Sequence, residues 1–195
     1  ELAGNTSVVF NAGSIQSGLY AVVISSLGEA LFSNTGSVSG LLAGAYVLAA
    51  EGTRVVNSGT IEGNFVGLGV ITLGTDGPVD IVNTGTIKVG NLIPDIESGA
   101  LFAGGGEGAV NLQNSGTIIG KVVLAADAAG ATVTNSGLID GETLLGDGND
   151  RFDGTKGTQG AVFGDDGDDT IIGGVGADVF DGGLGNDTLK GRAGI

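Results

Sequence analysis

The chain has 195 residues, 41 of them Gly and only two Pro, and its 22 acidic residues outnumber seven basic ones for a net charge of −15. This composition excludes collagen, which needs Gly at every third position and abundant Pro. It also excludes a polar linker, since 41 % of the residues are hydrophobic, while the charge repels nucleic acid and anionic membranes and the lack of Cys rules out disulfides and thiolate-bound metal.

The segment after Glu1 shows neither a basic n-region nor an apolar h-region, so no signal peptide is visible. The uncharged stretch Ala30–Ala50 is interrupted by Ser33, Asn34, Thr35, Gly36 and Ser37, which leaves its apolar part too short to span a bilayer. No membrane insertion is expected.

An Asn-small-Gly-small tetrad then recurs six times, starting at Asn11, Asn34, Asn57, Asn83, Asn114 and Asn135, at intervals of 23, 23, 26, 31 and 21 residues. Two positions before each Asn stand Val9, Phe32, Val55, Ile81, Leu112 and Val133; four after it stand Ile15, Val38, Ile61, Ile87, Ile118 and Ile139. Apolar residues spaced by two predict strands, and the intervening Gly predicts a corner. A unit of this size with two or three short strands reads as one coil of a solenoid, stable only when stacked on its neighbours. Stacking places the six Asn in an internal amide ladder. A leucine-rich-repeat horseshoe also has a recurring Asn, but its helical segment is missing. The repeats resemble the Asn-x-Gly-x-Ile units of bacterial autotransporter-like and haemagglutinin-like surface proteins, over about Val8 to Gly141.

From Leu145 the period becomes nine: Leu145–Asp153, Gly164–Ile172, Gly173–Asp181 and Gly182–Lys190. Gly stands at position four, Asp at six and a large apolar residue at eight: Phe152, Ile171, Phe180 and Leu189. A disordered acidic tail would not keep such a beat. The pattern resembles the RTX, or haemolysin-type, nonapeptide, a calcium-binding β-helix repeat. The resemblance implies Ca²⁺ as cofactor. The implied ligands are the carboxylates of Asp150, Asp169, Asp178 and Asp187, with backbone carbonyls of turns shaped by Gly146, Gly148, Asp165, Gly167, Gly174, Gly176, Gly183 and Gly185. Calcium takes about six to eight oxygens, and each turn supplies roughly half.

Two nonapeptides make one coil in this family, so Asp150, Asp169 and Asp187 are expected in one column. Gly154–Phe163 contains no Asp and is expected to bind weakly or not at all, leaving the sites around Asp178 partial. Asp165, Asp166 and Asp168 can instead act as surface charge.

The expected fold is all-β: a right-handed parallel β-helix of about six coils over residues 1–142, continuing into a calcium-binding β-roll over 143–195. Catalysis is not expected. There is no His, Cys or Trp, only two Tyr, and three Lys or Arg outside the acidic end: Arg54, Lys88 and Lys121. A uronate lyase or epimerase needs such a cation beside a tuned base. The expected role is a secreted or cell-surface bacterial structural protein that folds or assembles on Ca²⁺. Gly194-Ile195 breaks off within a repeat, so the chain is expected to be a fragment, and end-to-end self-association into a fibre or surface layer follows from its uncapped ends. The alternatives are the accessory module of a secreted polysaccharide-modifying enzyme, or a calcium-dependent adhesin for a glycan or cell surface, which an exposed aromatic patch would favour.

Overall fold

The computed structural model describes residues 5–74, 77–90, 98–125 and 129–192. Every strand pair within them is parallel, and no helix is present among them. The chain winds through three sheets in turn, so each strand pairs with the equivalent strand one coil away.

Sheet I has nine strands: Ser7–Asn11, Ala30–Asn34, Thr53–Asn57, Val79–Asn83, Val110–Asn114, Ala131–Asn135, Arg151–Asp153, Thr170–Ile172 and Thr188–Lys190. Sheet II has seven: Ser14–Ser17, Ser37–Gly40, Thr60–Gly63, Thr86–Val89, Thr117–Ile119, Leu138–Asp140 and Thr158–Gln159. Sheet III has eight: Tyr20–Ser26, Ala43–Ala49, Val66–Thr72, Gly99–Gly104, Lys121–Ala125, Thr143–Leu144, Val162–Phe163 and Phe180–Asp181. The result is an all-β parallel solenoid that runs unbroken into the nonapeptides, since sheets I and III continue through them.

The period-2 pattern sets the inside and outside of every strand. Phe32, Val55, Ile81, Leu112, Val133, Phe152 and Ile171 stack in one internal column of sheet I, all nearly or fully buried. Val38, Ile61, Ile87, Ile118 and Ile139 do the same in sheet II.

The amide ladder sits at the corner between these sheets. Asn34 Nδ2 donates to Asn57 Oδ1, Asn57 Nδ2 to Asn83 Oδ1 and Asn83 Nδ2 to Asn114 Oδ1, each at 2.8 Å. Asn11 and Asn135 extend the ladder at either end. Each of the five Asn from Asn11 to Asn114 also donates to a backbone carbonyl one coil on, so a buried polar side chain is satisfied by its own copies. The Gly two residues later is required by close approach: a Cβ on Gly59 would run into the Gly36 carbonyl oxygen one coil above.

The nonapeptides change the cross-section. Sheet II ends at Thr158–Gln159, and the last coil has a strand on sheets I and III only. Equivalent residues are 21 apart at the Asn114–Asn135 step but 19 at Asp150–Asp169 and 18 at Asp169–Asp187. The solenoid thus narrows from three-sided to two-sided. Of the position-eight residues, Phe152 and Ile171 are buried and Phe180 packs on the core, but Leu189 on the last described coil is exposed.

The ladder yields a test. Asn57→Ala removes two buried side-chain bonds and leaves Asn83 Oδ1 without its donor. It should destabilise the chain by about 3 kcal/mol, read from the urea midpoint in millimolar calcium. Exposed Ser58→Ala beside it should stay within about 0.5 kcal/mol.

Candidate metal centre

The sharpest change in chemistry falls on one internal column. At the start of the sheet I strands it reads Ala30, Thr53, Val79, Val110 and Ala131. It continues one residue before Arg151, Thr170 and Thr188 as Asp150, Asp169 and Asp187. A position held by small or apolar side chains in five coils is held by carboxylates in the next three.

These aspartates stack as the nine-residue beat predicts. Asp150 Oδ1 accepts from Ala131 N at 2.6 Å, Asp169 Oδ1 from Asp150 N at 2.8 Å and Asp187 Oδ1 from Asp169 N at 3.0 Å. One carboxylate oxygen of each therefore ties its coil to the coil above. The other oxygens of Asp150 and Asp169, their Oδ2 atoms, are buried with no hydrogen-bond partner. Asp169 Oδ2 lies over its own turn, where a Cβ on Gly164 would strike both it and the Gly182 carbonyl oxygen one coil on.

Their turns share one backbone form. Positive φ occurs at positions two and four of each: 97° and 113° at Gly146 and Gly148, 74° and 145° at Asp165 and Gly167, and 87° and 143° at Gly183 and Gly185. Gly adopts these angles freely; Asp165 is the one non-Gly residue with positive φ among those described. The turns stack by backbone bonds, Gly148 N to Asp166 O and Gly167 N to Leu184 O, both 2.7 Å.

The turn Gly173–Asp178 is built differently. Neither Gly174 nor Gly176 has positive φ, although the repeat pattern places both in a calcium-type turn. This turn stacks on the Asp-free segment 154–163, not on another nonapeptide. Gln159 Nε2 donates to Asp178 Oδ1 at 2.8 Å, so a side-chain amide takes up one oxygen of that carboxylate. Gln159 continues the sheet II column below Ile139. Nothing in the nine-residue pattern marks it; its signal is a lone polar residue in an otherwise aliphatic column.

A second, outer ladder occupies position five. Asn149 Oδ1 accepts from Asp168 N and Asp168 Oδ1 from Asn186 N, both at 2.8 Å. Asp168 is therefore engaged in coil stacking, while Asp165 and Asp166 are exposed. The partial nonapeptide after Lys190 lies, from Ala193, outside the described residues.

Burial sets the electrostatics. It is the largest cause that pushes the Asp150 carboxyl up to about 7; the Ala131 N–H opposes it and the charges of Asp169, Asp165 and Asp147 add to it. Asp169 is also raised, first by burial, with Asp187, Asp165 and Asp168 contributing. Two deprotonated carboxylates buried in stacked coils demand a cation or a proton. Among the described residues, no three His, Cys, Asp or Glu side chains cluster as a metal cage. Any ion here must take most of its oxygens from the backbone. Orphaned carboxylate oxygens with carbonyl-rich turns, and no thiol or imidazole, form a hard-oxygen donor set that suits Ca²⁺.

The raised Asp150 sets a pH dependence without calcium. Its folded pKa of about 7 exceeds the ordinary 3.8, so its contribution is fully present below about pH 4 and lost as pH rises through about 7. Thermal melts of the calcium-free protein should fall across that window, and Asp150→Asn should flatten the fall.

No curated protein and no solved structure matches the chain. Residues 162–195 match the family model of the RTX calcium-binding nonapeptide repeat, in four copies, and repeats of this family bind Ca²⁺.

Proposed function

We propose that this chain is a non-catalytic extracellular module of a bacterial surface or secreted protein, in which calcium completes the C-terminal coils and the Asn-ladder coils form a rigid stalk. The observation that carries the reading is the column Asp150–Asp169–Asp187, with two buried carboxylate oxygens lacking partners. In this reading Asp150, Asp169 and Asp187 are ligands, with carbonyls of the turns containing Gly146, Gly148, Asp165, Gly167, Gly183 and Gly185. Asp178, Gly174 and Gly176 form at most a weak site, because their turn lacks the positive-φ backbone of the other three and Gln159 holds one carboxylate oxygen. The Asn-x-Gly-x-Ile coils support a surface location through their resemblance to autotransporter-like and haemagglutinin-like repeats.

In this reading calcium controls the folding of the C-terminal coils, and end-to-end self-association of those coils is a further part of the proposal. Extracellular calcium sites bind at about 10⁻⁴–10⁻³ M, so at millimolar calcium each contributes only about 0.4–1.4 kcal/mol. Several must act together, which keeps the acidic coils unfolded wherever calcium is scarce.

Circular dichroism with and without chelator tests this: β content should drop on chelation and return with Ca²⁺. Equal spectra would sink the reading. Asp169→Asn, which touches the coils above and below, should lower the apparent Ca²⁺ affinity at least tenfold. Asp178→Asn should change it less than twofold.

A second reading, a calcium-dependent adhesin, is favoured by the outer face of sheet III. Its first four strands carry no charged residue, and aromatic rings lie on it.

A further inference from the structure

We infer that the outer face of sheet III binds a neutral glycan, laid along the solenoid axis across Tyr20, Tyr46, Phe65 and Phe102. The inference rests on the adhesin reading and gives it a site and a ligand class.

The strand register places Val23, Tyr46, Gly69, Phe102, Val123, Leu144 and Phe163 in a single column. Their chain neighbours Val22, Ile24, Ala45, Val47, Leu68, Val70, Leu101 and Ala103 are buried, so alternation points this column outward. At about 4.8 Å per strand the column extends roughly 30 Å. Side chains of this kind ordinarily fill a core, yet Val23 is 62 % and Tyr20 48 % exposed.

The rings lie where a sugar face could stack on them. A Cβ on Gly69 would come within 2.6 Å of Tyr46 Cδ2, so the Tyr46 ring lies over the bare backbone of the next strand. The Phe102 ring lies back over Gly99 of its own strand. Tyr46, Phe65 and Phe102 are half-buried. Tyr20, Leu42, Ala43, Tyr46, Phe65 and Val66 line a depression of about 270 Å³. A second depression is bounded by Tyr20, Val23 and Tyr46. Two phenolic hydroxyls give this apolar floor its polar handles, the mixture that orients a ligand in a mostly apolar site.

Charge selects the ligand. The strands Tyr20–Ser26, Ala43–Ala49, Val66–Thr72 and Gly99–Gly104 contain no Asp, Glu, Lys or Arg, in a chain of net charge −15. The face cannot pair with uronate or phosphate groups, and the surrounding field repels them. The same field opposes face-to-face association of two copies. A neutral hexose polymer, with apolar C–H faces and hydroxyl rims, matches both the rings and the missing charge.

The chain has two Tyr and no Trp, and both Tyr line this face, so tyrosine emission reports binding directly. The full chain in millimolar calcium should be titrated with cellohexaose, laminarihexaose and mannohexaose, with an oligogalacturonate as the anionic comparison. At least one neutral oligosaccharide should change the emission saturably, and the oligogalacturonate should bind at least tenfold more weakly. Tyr46→Ala should weaken binding at least tenfold with an unchanged circular dichroism spectrum. Val23→Asp, which keeps both tyrosines and alters a mostly exposed residue, should do the same and covers the case in which Tyr46→Ala fails to fold. No response to any neutral probe, equal response to the anionic one, or variants that bind normally would overturn the inference. So would capture by phosphatidylcholine vesicles, or a dimer in sedimentation that Val23→Asp abolishes. A β content insensitive to chelator would sink the calcium reading and leave this readout intact.

Discussion

Among the described residues, no strand of this solenoid hydrogen-bonds to a strand of its own coil. All ladder bonds run to the coil above or below, in register, from Ser7 to Lys190. Everything else depends on that constraint. A coil out of register would turn its core face to solvent and would orphan both its backbone and its polar corner. The Asn ladder fixes register where it is least forgiving: each amide meets its copy at 2.8–2.9 Å, and a displaced coil would leave a buried donor and acceptor unpaired.

The passage from the Asn-ladder coils to the nonapeptides replaces one internal polar ladder by another. Below Asn135 the register brings Gly154, so the amide-to-amide bonds end and Asn135 Nδ2 keeps only the cross-coil bond to the Thr158 carbonyl. One corner away, below Ala131, Asp150 begins a carboxylate ladder. Amides satisfy each other because each carries donors and an acceptor. Carboxylates carry acceptors only, so each leaves an oxygen over and adds a charge to its neighbour. An Asn ladder therefore stands without help, whereas an Asp ladder needs an external cation or proton. That difference is the physical ground for proposing that the C-terminal coils, unlike the N-terminal ones, depend on calcium to fold.

The outer faces divide the labour in a similar way. Acidic residues crowd the nonapeptide turns, at Asp147, Asp165, Asp166 and Asp168, where they favour cations over anions. Sheet III over the first four coils is free of charge. Sheet II pairs Lys88 with Glu62 at 2.9 Å across neighbouring coils, a half-exposed contact of little energetic weight. One backbone plan thus carries a charged end and a neutral aromatic flank, since outward side chains are free of the packing that fixes inward ones.

By itself the sequence determined the strands, their inward residues, the Asn ladder and the nine-residue turns, because each repeats at a fixed spacing and a repeat can stack only on its copies. It also determined the pairing of Asp150 with Asp169 and of Asp169 with Asp187, once the Asp-free segment is counted as half a coil. It did not reveal that Gln159 holds Asp178, because a single polar residue in an aliphatic column has no period. Nor did it reveal the aromatic face, since Tyr20, Tyr46, Phe65 and Phe102 share no spacing and are brought together only by cross-coil register. The narrowing from three sheets to two likewise belongs to the tertiary structure. The loss of sheet II depends on how many residues each coil has to cross the interior, a distance set by packing and not by any motif.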